Sequence, residues 1–153
     1  MLLAGAAAAA PCTSPAGEVH LTTRKPVKGE DVRLVSGFGM RLHPLLNEQR
    51  MHTGIDWGAA SGTPVIAAAA GRVTEAGRKG QYGNAVIVDH GGGVETLYAH
   101  LSEIGVKEGD CIADGTRIGA AGSTGLTANT GVHFEVHRAG AAVDPMKETT
   151  TGN

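Results

Sequence analysis

The chain has few cysteines, no block of basic residues and no apolar run long enough to cross a membrane. Its two cysteines, Cys12 and Cys111, are not at metal-ligand spacing, and a disulfide between them is left open for an exporting compartment. With 13 basic residues against 15 acidic ones, the formal net charge is -2, which argues against a nucleic-acid or membrane-surface partner. No segment has the apolar spacing of an amphipathic helix longer than about two turns.

The N-terminus carries an apolar run, MLLAGAAAAAPC. It is similar to the apolar core of a secretion signal, with small residues suited to cleavage near Ala10, but it lacks a positively charged start. An Ala-rich leader of low complexity is the alternative. A lipid on Cys12 is disfavoured because Pro11 precedes it. The run predicts export, with the periplasm or cell envelope as the destination.

Glycine, by contrast, is abundant: 24 dispersed residues predict many tight turns between short strands. From Val32 onward the apolar residues alternate with period two. The predicted strands are Arg33 to Ser36, Pro64 to Ala69, Arg72 to Ala76, Asn84 to His90, Val94 to Leu101, Arg117 to Ala121 and Gly131 to Arg138. The fold class is therefore all-β and mainly antiparallel. We expect residues 1–31 to be leader and linker, 32–146 to form one domain, and 147–153 to be a polar, frayed tail.

Two runs carry candidate metal ligands: His52 to Asp56 (HTGID) and Gly131 to Val136 (GVHFEV). Together they supply two imidazoles and a carboxylate, which suit a catalytic zinc with one open position. On a straight strand His52 and Asp56 would lie roughly 13 Å apart, too far to bind one ion. We therefore predict an extended segment that bends at Gly54.

Alternation places further polar residues on two of the predicted strands. In Val94 to Leu101, one face carries Tyr98 and His100; in Val132 to His137, one face carries His133. We expect these strands to be neighbours, each with a polar stripe backed by an apolar one. A lone histidine in a strand is more often structural, and we interpret His20 and His137 in this way. His43 and His90 are interpreted as structural residues or as supporting residues beside the site.

The chain resembles the lysostaphin/LytM-type zinc endopeptidases of bacterial cell walls. Five blocks, in the family's order, carry the resemblance: Ser36 to Pro44 (SGFGMRLHP), Met51 to Trp57 (MHTGIDW), Gly62 to Ala69 (GTPVIAAA), Glu95 to Leu101 (ETLYAHL) and His133 to Val136 (HFEV). The match covers about Val35 to Pro145. It implies a two-layer antiparallel β-sandwich hybrid with a groove that holds one zinc.

The resemblance also implies roles for individual residues. His52, Asp56 and His133 would bind one Zn²⁺, and His100 would move protons or stabilise the oxyanion. Tyr98, in the same block as His100, and Asn129, on a loop expected to form the groove wall, are predicted to bind substrate. The implied partner is the peptide part of peptidoglycan. We expect a monomer with no nucleic-acid partner and no integral membrane span.

One position departs from the family's pattern. Residue 131 is glycine where the family has the first histidine of an HxH run. His137 cannot substitute, since it lies about 13 Å along the strand from His133, against roughly 7 Å for residue 131. Loss of one acid-base group typically costs about 10²–10⁴ in rate.

Two functions therefore stay open. One is a zinc endopeptidase that hydrolyses peptide cross-links of peptidoglycan with reduced activity. The other is a zinc-retaining, weakly active or inactive module that binds peptidoglycan or regulates other wall hydrolases. If the domain is an enzyme, replacing Gly131 by histidine is expected to raise the rate.

A biotinyl- or lipoyl-carrier domain is a candidate of a different class, because Val65 to Val73 and Glu108 to Gly119 resemble the hairpins of such domains. A carrier needs a lysine at the tip of a short turn flanked by hydrophobic residues. Neither Lys79 nor Lys107 lies in such a turn. The sequence therefore favours the metallopeptidase class.

Overall fold

The computed structural model describes Cys12, residues 19–148 and Thr150, so the leader with its predicted cleavage site near Ala10 lies outside the described residues. Within the described residues the chain forms thirteen short strands and two 3₁₀ helices, Gly80–Tyr82 and Pro145–Lys147. The strands are β1 Arg33–Ser36, β2 Gly39–Leu42, β3 Gln49–His52, β4 Ile55–Gly58, β5 Pro64–Ile66, β6 Gly71–Arg78, β7 Asn84–Gly91, β8 Val94–Leu101, β9 Glu103–Ile104, β10 Cys111–Ile112, β11 Arg117–Ala120, β12 Gly131–Arg138 and β13 Ala141–Val143. The all-β prediction is confirmed. No helix in this part of the chain is long and apolar enough to cross a bilayer.

Eight strands form the main sheet, in the order β1-β4-β12-β8-β7-β6-β10 with β13 paired to β12. All of its pairs are antiparallel. A second sheet has the order β5-β11-β9, and β2 and β3 form a separate hairpin. Strands β6, β7 and β8 pair with their sequence neighbours, whereas β4 and β12 are distant in sequence and adjacent in the sheet. This long-range pair brings the two histidine-containing runs together.

The sequence misses six strands: β2, β3, β4, β9, β10 and β13. Strands β2 and β3 are largely exposed, apart from His52 at the end of β3, and therefore show no alternation of apolar and polar residues. Strand β4 does alternate in burial, but it has only four residues and ends in glycine. Apolar periodicity gives little signal over so short a stretch, and all six missed strands have only two to four residues.

The N-terminal segment packs against the core before the first strand begins. Val19 and Val27 are 3% and 1% exposed. The indole Nε1–H of Trp57 donates to the carbonyl of Arg24 at 3.0 Å. The sequence places the start of the domain at Val32, one residue before the first strand of the main sheet begins. The packed body extends at least to Val19.

Both ends of the described chain are held by specific bonds. A disulfide joins Cys12 to Cys111 across 99 residues, which is the pairing that the sequence left open. Near the other end, the carboxylate of Glu148 accepts from Arg138 Nε at 2.7 Å, and its carbonyl accepts from Arg24 Nε at 2.7 Å. The predicted frayed tail is thus anchored at Glu148.

Candidate metal centre

The pairing of β4 with β12 places Asp56 directly opposite His133. Directly opposed residues in antiparallel strands bring their side chains within contact distance on the same face. Here Nδ1 of His133 lies 2.7 Å from Oδ1 of Asp56. The apolar side chains Val132 and Phe134 point to the opposite, core face. The predicted faces of this strand are confirmed by that packing.

His52 reaches the same place from the end of β3. The chain leaves β3 at His52 and enters β4 at Ile55, so the two strands are separated at Thr53 and Gly54. A Cβ at Gly54 would collide with the carbonyl oxygen of Phe134. Glycine therefore allows the backbone to approach β12 closely at this bend. Nε2 of His52 lies 3.2 Å from Oδ1 of Asp56.

Hydrogen bonds on the far side of each ring select the nitrogen that faces the centre. Nδ1 of His52 lies 2.6 Å from the carbonyl oxygen of Gly37. Since a carbonyl oxygen can only accept, Nδ1 carries the proton and Nε2 offers its lone pair. Nε2 of His133 donates to Oε2 of Glu135 at 2.7 Å, which directs Nδ1 toward Asp56. Such outer hydrogen bonds are typical of metal-binding histidines.

The three donor atoms fit a single zinc ion. The ligand atoms of His52, Asp56 and His133 all lie within 4.8 Å of one another. Tetrahedral zinc with bonds of about 2.0–2.1 Å separates its ligands by roughly 3.4 Å. Two imidazoles and one carboxylate form a ligand set of catalytic zinc sites, which keep the fourth position open.

Charge at the centre also favours a cation. Burial alone would raise the pKa of the Asp56 carboxyl, but hydrogen bonds with His133 and His52 outweigh it and hold that pKa well below its usual range. Burial lowers the pKa of His133, but hydrogen bonds with Asp56 and Glu135 outweigh burial and raise it to about 9. The carboxylates of Asp56 and Glu135, which both contact the imidazole of His133, therefore stabilise positive charge at the centre.

Glu135 is a buried carboxylate with four hydrogen-bond partners. Its side chain is 1% exposed. Oε2 accepts from the hydroxyls of Thr53 at 2.6 Å and Tyr82 at 2.8 Å, in addition to His133. Oε1 is 2.6 Å from Nε2 of His137. Burial raises the pKa of Glu135, but these bonds, with His133 first, outweigh it and lower the pKa to about 2.

Sequence reasoning missed the roles of Thr53 and Tyr82 in this network. Tyr82 ends the 3₁₀ helix Gly80–Tyr82, and its ring stacks on His133 with centroids 5.8 Å apart. The chain has only two tyrosines, and Tyr82 lies between glycines at positions 80 and 83. This rare residue in a glycine-rich turn is the signal that could have drawn attention to Tyr82. His137 is a partner of Glu135 and lies outside the group of metal donors.

The Glu135→Gln variant is expected to bind zinc about 10- to 100-fold more weakly than the wild type, because loss of an outer carboxylate partner weakens the ligand that it orients. Competition with a chromogenic chelator measures this affinity without reference to activity. Glu103→Gln, an exposed glutamate on β9, is the matched control. Equal zinc affinities for the Glu135 variant and the wild type would contradict the role assigned to Glu135.

A bulge in β8 brings His100 to the groove. Asn84 pairs with Leu101 and Val86 with Tyr98, so two residues of β8 lie opposite one residue of β7. His100 has φ of +63°, a left-handed conformation uncommon outside glycine. The bulge turns its side chain out of the regular alternation. Its backbone strain lies beside the centre, as is common at functional sites.

The imidazole of His100 is oriented by one hydrogen bond. Its Nδ1 donates to the carbonyl oxygen of Thr124 at 2.7 Å, which leaves Nε2 able to accept a proton. Its ring centroid is 5.9 Å from that of His133. Burial is the main cause that lowers the pKa of His100. A neutral imidazole is therefore favoured beside the three donors.

The structure corrects the expectation that Tyr98 binds substrate. Tyr98 is fully buried, at 0% exposed, and belongs to the hydrophobic core. Its hydroxyl accepts from the backbone N–H of Ala68 at 2.9 Å and bonds Thr96 at 2.7 Å. The expected polar stripe of β8 faces the core, and His100 leaves that face only through the bulge. Alternation alone could not show this.

The centre opens into a groove of about 450 Å³. The β2–β3 hairpin supplies Arg41 and Arg50, and the loop before β12 supplies Asn129. Of these two segments, the loop that carries Asn129 is the one that the sequence predicts to form a groove wall. Asn129 is exposed on the groove wall, and its role in substrate binding stays a prediction.

Gly131 lies at the start of β12, where the backbone leaves no room for a side chain. Its φ is +156°. A Cβ at this position would collide with the carbonyl oxygen of Trp57 in the neighbouring strand. Its N–H and carbonyl both bond Gly122, at 2.8 and 3.0 Å. The structure therefore argues against the expectation that a histidine here would raise the rate, since its side chain cannot enter without moving the strand.

Gly131→Ala and Gly131→His are both expected to lose more than about 2 kcal/mol of unfolding free energy, from backbone strain and overpacking. Neither is expected to gain activity. Urea unfolding measures the loss. Gly105→Ala is the control, because a Cβ at Gly105 would make only ordinary contacts, 3.6 Å or more from Ile118. A stable Gly131→His variant with a higher rate would show that the strand adapts to the imidazole.

A groove over two imidazoles and a carboxylate is the arrangement of a zinc hydrolase, and the comparisons specify the family. The model of peptidase family M23 matches residues 50–145. The chain belongs to this family. It is 50% identical over 114 residues to the DD-carboxypeptidase/endopeptidase Mpg of Neisseria meningitidis serogroup B, a match that covers 74% of this chain and 26% of that protein.

Two further matches agree with this. The peptidoglycan DD-endopeptidase ShyA of Vibrio cholerae is 37% identical over 116 residues, which cover 75% of this chain and 27% of ShyA. A crystal structure of a zinc-containing peptidase from Vibrio cholerae superposes with a TM-score of 0.77 and 32% identity, covering 86% of this chain and 41% of that one. The chain spans about a quarter of the length of the curated relatives described here.

Proposed function

We propose that this domain is a zinc-dependent endopeptidase that hydrolyses peptide cross-links of peptidoglycan. The observation that carries the proposal is the convergence of His52, Asp56 and His133 on one point in an open groove, with His100 beside them. Membership of peptidase family M23 and the peptidoglycan endopeptidases among its relatives support the substrate class.

One zinc ion would be held by Nε2 of His52, Oδ1 of Asp56 and Nδ1 of His133. When bound, it supplies the Lewis acidity for attack of water on a peptide carbonyl. His100, fixed through Nδ1, presents Nε2 as the proton acceptor and later returns the proton to the leaving amine. Glu135 holds the ring of His133 in place.

Such a substrate requires export, and we propose the periplasm or cell envelope as the location. The Cys12–Cys111 disulfide supports this, because disulfides persist in oxidising compartments. The apolar N-terminal run also supports export.

Digestion of purified peptidoglycan tests the function. The zinc-loaded domain should release new amino groups, a chelator should stop the release, and added zinc should restore it. Zinc-dependent binding to peptidoglycan without new amines would favour the second function, a binding or regulatory module. The conformation of Gly131, which excludes a second catalytic imidazole at that position, is the observation that keeps this second function in view.

A further inference from the structure

Two arginines face each other across the β2–β3 hairpin. Arg41 and Arg50 are directly opposed in the strand register, and both line the groove. Like charges placed directly opposite each other in an antiparallel pair are destabilising. An anion bound between them would offset this repulsion. We call these two residues the arginine pair.

The acids near the arginine pair leave it able to bind a further anion. Arg50 contacts Glu48 at 2.8 Å, but the two side chains are 46% and 55% exposed. Exposed ion pairs of this kind contribute little, about 0–1 kcal/mol, and exchange readily. Arg41 is 3.9 Å from Oδ2 of Asp56, whose other oxygen already contacts His52 and His133.

The groove as a whole is positively charged, like the arginine pair. Among the described residues that line it, Asp56 is the one acid, against the cations Arg41, Arg50 and Lys79, the last of which is paired with the exposed Glu75 at 3.1 Å. A concave surface with one sign of charge concentrates ligands of the opposite sign. The guanidinium group matches a carboxylate in shape and can bind it through two parallel hydrogen bonds.

We propose that the arginine pair binds a free carboxylate of the substrate peptide, on the hairpin side of the metal centre. The substrate class is then a peptide that carries a carboxylate near the scissile bond, and uncharged peptides are poor substrates. This inference rests on the proposed function, because it assigns the substrate of the same groove. Arg41 and Arg50 are specificity-determining residues in this account.

Three synthetic cross-linked peptides provide the test: one with all carboxylates free, one with its C-terminal carboxylate amidated, and one with its side-chain carboxylate amidated. For the wild type, one of the two amidations should raise KM and lower kcat/KM roughly 10- to 150-fold, the value of a hydrogen-bonded charged pair. The amidated peptide with the lower kcat/KM identifies which carboxylate is bound. Equal kcat/KM for all three peptides would overturn the proposal.

For the peptide with free carboxylates, the Arg50→Gln variant should have a kcat/KM that is lower than that of the wild type by the same factor. Amidation of the bound carboxylate should then lower the kcat/KM of this variant no further. Arg41→Gln should behave alike, with its zinc content measured because Arg41 lies near Asp56. Arg117→Gln is the matched control, since Arg117 is also an exposed arginine that contacts a glutamate, Glu103, at 2.8 Å. An Arg50→Gln variant that discriminates as the wild type does would also overturn the proposal.

Calorimetric binding of the same peptides separates this inference from the proposed function. If no peptide is cut, a preference for the free carboxylate that Arg50→Gln abolishes would support the arginine pair while the hydrolase function fails. If the free and amidated peptides bind equally, or none binds, the arginine pair has no role in recognition.

Discussion

The Asp56→Ala variant is expected to bind zinc roughly 100- to 1,000-fold more weakly than the wild type and to lose peptidoglycan cleavage. Structural zinc sites bind with about 10–16 kcal/mol, or roughly 3 kcal/mol for each of four ligands. Asp56 contributes one of three protein donors and contacts both imidazoles. Its loss therefore removes a ligand and leaves two histidines without their common partner.

Zinc content after dialysis and release of amines from peptidoglycan measure the two effects separately. Asp114→Ala is the matched control, because Asp114 is exposed in the turn between β10 and β11 and does not line the groove. Thermal unfolding without zinc shows whether Asp56→Ala still folds, and Asp56→Asn, which keeps the shape, serves if it does not. One retained equivalent of zinc in a folded Asp56 variant would remove Asp56 from the ligand set.

The His100→Ala variant is expected to lose about 10²–10⁴ in kcat while it keeps its zinc, as is typical for removal of a general acid-base group. His100 is outside the three-donor group, and its Nε2 faces the groove because Nδ1 is bonded to Thr124. Stopped assays on cross-linked peptides give kcat, and atomic absorption gives the zinc content. His20→Ala, an exposed histidine of the N-terminal segment, is the control.

A His100→Ala variant with unchanged kcat would mean that another group transfers the proton. Loss of zinc together with activity would instead assign His100 to the metal. Since Gly131 provides no imidazole and no room for one, the account depends on His100 as the one histidine proposed to transfer protons.

The fold class could be predicted from local patterns in the sequence. The three donor residues could be identified from the two histidine-containing runs and from the family resemblance. Strand β12 was predicted correctly at both ends because it buries Val132, Phe134 and Val136 on one face. The contact of Asp56 with His133 depends on a strand pair whose members are 77 residues apart, about half of the chain. Periodicity carries no information about which distant strands become neighbours.

Three features of the site depend on contacts that local sequence patterns do not show. The face of β8 that carries Tyr98 is buried in the core, and only the bulge turns His100 away from it. The partners of Glu135 come from separate segments, since Thr53 and Tyr82 are far from it in sequence. The consequence of glycine at 131 depends on the carbonyl of Trp57 in the adjacent strand. Each depends on close contacts between strands that a linear pattern does not encode.

The most direct test of the proposed hydrolase follows cross-linked dimers of peptidoglycan fragments by mass spectrometry, with zinc content determined on the same sample. The account predicts one equivalent of zinc and conversion of dimers to monomers, each cut adding one water. It also predicts that this conversion depends on His100. One equivalent of zinc with dimers left intact by the folded wild type would contradict it.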